Sequence, residues 1–160
     1  MPLGRRSHRG VDMTRSRYPV PLKLGQDGRA VVVDALAGAN FVSEGPLAGN
    51  EYRELSVGHA SAGALGIRHL RSTLPFDTST GWHWHDMDVH VVYVLKGSIT
   101  YRFQALDDEV VVRAGDCITQ PAGVPHNVVD RSADLELLEI TLPDRFGTFE
   151  PAAAADPNAA

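Results

Sequence analysis

Between Gly66 and Leu142 the chain is cut into short runs of β-branched and aromatic residues, none longer than nine, divided by turn formers such as LKGS, LDDE and AGD. The runs are Gly66–Leu74, His90–Leu95, Ile99–Ala105, Glu109–Arg113, Cys117–Gln120, Asn127–Asp130 and Leu135–Leu142, with Val31–Leu36 preceding them. Val, Ile, Thr, Tyr and Phe favour a pleated, half-buried strand, and Gly, Pro and Asp close it. Many short strands at close spacing, almost without helical periodicity, fold as a sandwich or a closed barrel. One brief helix is expected around Asn50–Leu55 (NEYREL).

A chain of 160 residues suits one domain with its own core. The start, residues 1–18, carries five arginines against Asp12, a charge of +4, which leaves −9 on residues 19–160 of the total −5. This segment reads as a basic, solvated, disordered leader, and residues 149–160 (FEPAAAADPNAA, an alanine run broken by prolines) as a disordered tail, with a barrel domain over 19–148. An acidic body without aromatic-interleaved basic patches argues against nucleic acid as partner. No apolar run reaches the ~20 residues that span a bilayer. A single cysteine, Cys117, excludes an intrachain disulfide, suits the cytoplasm, and reads as a small buried hydrophobe.

Chemistry concentrates in GWHWHDMDVHVVYVLKG, residues 81–97, which holds three of the seven histidines. Side chains two apart on a strand share a face, so His83 and His85 project together. His90 opens the next run on the face of Val92 and Val94, the face that lines a barrel interior. A fourth histidine, His126, follows the turn in GDCITQPAGVPHN, at the start of a strand. Four imidazoles converging in an interior need partners, and a divalent metal supplies one to each. His59, His69 and His8 read as surface, packed or tail histidines.

These two stretches resemble the paired motifs of the cupin superfamily. The first motif of that family is two histidines one residue apart, then glutamate, then glycine; here His83, His85, His90 in the glutamate slot, and Gly97. The second is glycine, proline, glycine, histidine and asparagine; here Gly115, Pro121, Gly123, His126, and Asp130 in the asparagine slot. Seven of nine positions match at the family's spacing. The resemblance implies an all-β, double-stranded β-helix, or jelly-roll barrel, and a metal held by His83, His85, His90 and His126. Histidine in place of glutamate leaves both positive charges on the ion, a stronger Lewis acid that suits an anionic or enolate-type chelating substrate.

Imidazole ligation suits Fe, Ni, Cu and Zn better than Mg or Ca; Fe(II) is the expected ion, with Ni, Cu, Zn and Mn as further candidates. Strand alternation assigns Val92, Val94, Tyr101, Phe103 and Val128 to the pocket lining, with the Tyr101 hydroxyl the one candidate catalytic group. Trp82 and Trp84 are expected to point away from the metal. Arg68 or Arg71 is placed to reach a substrate carboxylate, and of Glu136 and Glu139 at most one faces inward. The expected function is a metal-dependent enzyme acting on a small oxygen-rich molecule, foremost a non-haem Fe(II)-type dioxygenase cleaving a chelated enolate or diketone. The alternatives are a metal-dependent lyase, isomerase or decarboxylase, and a non-catalytic small-molecule-binding barrel. The family resemblance further implies a homodimer.

Overall fold

The computed structural model describes residues 20–23, 30–43 and 49–151. The basic leader over 1–18 and the alanine segment from 152 onward lie outside the described residues. The chain divides into two compact units, one ending at Ala39 and one beginning at Asn40. In the first, β1 (Val20–Lys23) and β2 (Ala30–Val33) form an antiparallel pair.

The second unit contains β3 (Asn50–Glu54), α1 (Val57–Ala60), β4 (Gly66–Ser72), β5 (Trp84–His85), β6 (Val89–Lys96), β7 (Ser98–Phe103), β8 (Val110–Arg113), β9 (Cys117–Pro121), β10 (His126–Arg131), β11 (Glu136–Leu142) and β12 (Thr148–Phe149). A five-stranded sheet in the order β3-β4-β11-β6-β9 is accompanied by a three-stranded sheet, β10-β7-β8, and by the small pair β12-β5. Every pairing between these strands is antiparallel. The core draws on both larger sheets: Tyr52, Leu70, Leu137, Val92 and Val94 from one, and Ile99, Tyr101, Phe103, Val112 and Val128 from the other. Burying one face of each sheet is the arrangement of a jelly roll. The all-β barrel expected from the strand spacing is the observed fold.

Gly97 joins β6 to β7 at φ +72°, and a Cβ there would collide with the Ser132 side chain. Only glycine accepts both the left-handed turn and that close approach, which accounts for its place in the motif.

Three local expectations are corrected. Asn50–Leu55 is not helical: Asn50–Glu54 is strand β3, paired with β4, burying Asn50 and Tyr52. Asn50 and Tyr52 alternate inward, and the open edge of β4 offers this segment a full ladder of hydrogen bonds. The short helix falls one step later, at α1. Cys117 is exposed, because it lies opposite Tyr93 on the outer face of β9. Phe149, assigned to the tail from sequence, belongs to β12, where it pairs with Trp84 and stacks on its ring at 4.6 Å.

Candidate metal centre

Two strands bring the histidines together. His83 and His126 exchange backbone hydrogen bonds, N to O, at 2.9 and 2.8 Å, which pins the segment leading into β5 against the start of β10. Alternation then turns His85 to the same side as His83. The ring centroids of His83 and His126 lie 4.4 Å apart, those of His83 and His85 5.0 Å, and those of His85 and His126 5.2 Å. One ring nitrogen from each of the three lies within 4.8 Å of the others.

The remaining nitrogen of each ring is held from behind. His83 Nδ1 donates to the Gly81 carbonyl, and His126 Nδ1 to the Val124 carbonyl, both at 3.0 Å. His85 Nδ1 meets Thr148 Oγ1 at 3.0 Å. A carbonyl can only accept, so Nδ1 of His83 and of His126 carries the proton and Nε2 presents its lone pair. Burial, reinforced by the neighbouring histidines His90 and His83, lowers the pKa of His85 to about 4. Burial likewise lowers His126 to about 4, against a small opposing effect of its bond to Val124. Three oriented imidazoles, two of them kept neutral by burial, form the donor set of a divalent transition-metal site, so these residues fit such an ion.

His90 is buried beside this group, its ring 5.4 Å from that of His85 and 6.1 Å from that of His126, but outside the set drawn within 4.8 Å. Its Nε2 is engaged by Glu139 Oε1 at 2.9 Å, while its Nδ1 is buried without a hydrogen bond. Glu139 belongs to a charged row across the sheet: Glu54, Arg68 and Glu139 are successive cross-strand neighbours on β3, β4 and β11. Arg68 Nε lies 3.4 Å from both Glu54 Oε1 and Glu139 Oε2. Burial alone would raise the pKa of Glu139; the His90 bond and the charges of His90, Arg68 and His85 more than offset it and hold it low. Burial, aided by Asp144 and Glu139, raises Glu54 in spite of Arg68.

These groups open into a cavity of about 1720 Å³. Val92, Tyr101 and Val128 line it. Val94 and Phe103 instead sit in the core, since Val94 is two residues further along β6 from the histidine end and Phe103 packs on Tyr101. Tyr101 is buried, and that burial raises its pKa, so its hydroxyl keeps its proton. Trp84 turns to Phe149 as expected, but Trp82 lines the cavity. Arg71 is occupied by Glu51 at 2.7 Å on the opposite face, leaving Arg68 as the inward arginine. His59, on α1, also lines the cavity, and His69 does not.

Glu139 is the functional candidate that sequence reasoning left open. The signal was present in LELLEITL: Leu137, Glu139 and Thr141 alternate, and the neighbours Leu137 and Thr141 are buried.

Three imidazoles brought together by a double-stranded β-helix make a candidate metal site. Residues 70–141 match the family described as Cupin domain, so the barrel carries a cupin domain. Its fold is similar to that of the polyketide cyclase RemF from Streptomyces resistomycificus, with TM-score 0.61 and 22% identity over 78% of this chain and 88% of that one. It is also similar to KdgF from Halomonas sp., with TM-score 0.56 and 15% identity over 69% and 94% of the two chains. A mutant of the oxalate decarboxylase OxdC from Bacillus subtilis matches with TM-score 0.54 and 18% identity over 72% of this chain and 30% of that one. No curated protein matches. No helix among the described residues is long and apolar enough to cross a membrane.

Proposed function

We propose that the chain is a metal-dependent enzyme that binds an oxygen-rich small molecule through adjacent oxygens and moves a proton on it. The observation that carries this reading is the conjunction of three imidazoles, each held at Nδ1, with an ionised carboxylate at their margin, Glu139. A divalent transition metal held by His83, His85 and His126 would supply Lewis acidity toward a chelated carbonyl or enolate. Glu139, ionised and lining the cavity, is placed to accept a substrate proton at a carboxylate oxygen. His90 Nε2 donates to that carboxylate and fixes its orientation, and Arg68 steadies the other oxygen. Tyr101, which keeps its proton, offers a hydrogen bond to a substrate oxygen. His90 joins the ligand set as a fourth imidazole if its Nε2 gives up Glu139.

A second reading, an Fe(II)-type dioxygenase, is favoured by one observation: the clustered donors are all imidazole, a set that suits iron. A single assay separates the two. Protein purified without chelator is analysed for metal, then screened against diketones, hydroxy acids and polyphenols with and without oxygen. Proton-transfer chemistry turns over anaerobically; a dioxygenase stops. Metal-free protein that resists reconstitution while folded would overturn both and leave a binding barrel.

A further inference from the structure

The cavity constrains the substrate more tightly than the metal centre does. Its volume of about 1720 Å³ exceeds the ~300–1,000 Å³ common for pockets that take drug-sized ligands. A two- or three-carbon acid chelated at the histidines would leave most of it wet. Beyond the histidines one part of the wall is apolar and largely aromatic, formed by Trp82, Tyr101, Phe146, Phe149, Ile99 and Val128, beside polar and charged groups. Trp82 and Phe149 remain 42% and 43% exposed, Phe149 with one face against Trp84, so both rings on the cavity wall keep uncovered surface. Exposed apolar surface gathered at one concave site marks a place that a ligand covers.

Charge points the same way. The lining includes the carboxylates of Glu54, Glu139, Asp144 and Glu150 against the guanidinium groups of Arg68 and Arg145, a net of −2. A divalent ion at the histidines would cancel that charge. Arg68 is already flanked by Glu54 and Glu139. An uncharged or singly ionised molecule meets this balance, and a small dianion does not.

We infer that the substrate is a flat, multi-ring polyoxygenated molecule, a polyphenol or hydroxyquinone, with adjacent oxygens at the histidine end and its ring system along the aromatic wall. This rests on the chelation reading above. The rings supply apolar contact and stacking against Trp82, and the oxygens supply orientation.

The test uses the metal-loaded full chain and 1,2-dihydroxyanthraquinone as probe, followed by the emission of the chain's two tryptophans, Trp82 and Trp84, and by the probe's own absorbance. Saturable binding is expected, unaffected by oxalate in excess. Trp82→Ala should weaken the probe about tenfold at unchanged metal content, and Trp82→Phe should restore most of the loss. Because Trp82 is exposed, the variant tests the wall rather than the fold, and circular dichroism confirms it. Metal-loaded protein that ignores the probe, or releases it to equimolar oxalate, overturns the inference and leaves the metal centre standing. Trp82-dependent binding that is equal with and without metal upholds the apolar wall and overturns chelation. An affinity indifferent to Trp82→Ala overturns the proposed placement of the rings.

Discussion

The buried histidines fall into two environments. His126 and His69 are both almost inaccessible, at 3% and 5% exposure, yet only one is available for chemistry. His69 lies on the outer side of the five-stranded sheet, where its Nδ1 accepts from Arg53 Nε at 3.2 Å and its Nε2 faces Glu136 at 3.5 Å. Phe41 packs edge-on against it at 5.2 Å, and Arg71 caps Phe41 at 3.8 Å. Burial, then the Arg53 charge, lowers its pKa. Both nitrogens face charged side chains, so the ring serves as a spacer in a salt-bridge network. His126 spends only Nδ1, on a backbone carbonyl, and turns Nε2 toward two other imidazoles. Burial keeps both rings neutral; which nitrogen is left over decides the role.

The largest effects should break that comparison outright. His83→Ala or His126→Ala should abolish stoichiometric metal in purified protein, read by elemental analysis, with the β-sheet spectrum retained. His69→Ala should leave metal content intact and lower stability by about 1–3 kcal/mol in a denaturant titration, the cost of emptying a buried ring site and losing its bond to Arg53. Metal loss in His69→Ala with a preserved fold would contradict the division. Next in size is Glu139→Gln, which keeps the shape and hydrogen bonding near His90 but removes the charge. Metal should stay, and turnover should fall by about 10²–10⁴-fold, the usual contribution of a positioned acid–base group. A kcat unchanged by this substitution would remove Glu139 from the mechanism.

How far these roles were legible in the sequence follows from the range of each signal. His83, His85 and His126 announced themselves by local spacing, since alternation and one turn suffice to aim them. The strands of the barrel were legible for the same reason, from β-rich runs between turn formers. Strand β3 was not: NEYRE has no β-branched residue, and it becomes a strand because β4 offers an edge. The row Glu54–Arg68–Glu139 was likewise hidden, because it depends on the register of three strands distant in sequence. Phe149 and Thr148 reach the site through a two-residue strand too short to leave a pattern.

The neutrality of His85 and His126 carries a pH signature. In His85 and His126 the folded pKa is lowered from 6.5 to about 4, so the folded state disfavours the proton. Metal-free protein should therefore hold its full stability above about pH 6.5 and lose it progressively between 6.5 and 4. For buried His126 the effect is on the order of 3 kcal/mol, and for half-buried His85 solvent screening makes it less. A thermal melt that is flat over this window would show that the rings are hydrated rather than buried. His126→Gln should flatten most of the slope, whereas His69→Gln should remove a smaller part of it, since His69 is also shielded from the proton but has Glu136 opposing the shift.

The finest test concerns His90, which stands between the two environments. Like His69 it faces a carboxylate, Glu139 at 2.9 Å, and like His126 it borders the triad. If Glu139 keeps Nε2, His90→Gln preserves a donor to that carboxylate and should weaken metal affinity by only about tenfold, the scale of a group acting behind the ligands. If Nε2 turns to the metal instead, removing a fourth imidazole should weaken affinity well beyond about 100-fold and change the spectrum of a cobalt-substituted site. Glu139→Ala, which takes the acceptor away from His90 Nε2, sharpens the distinction. A freed ring that then tightens metal binding would show the two partners competing for one nitrogen, and the carboxylate absent from position 90 of the motif would be acting from β11 by withholding His90.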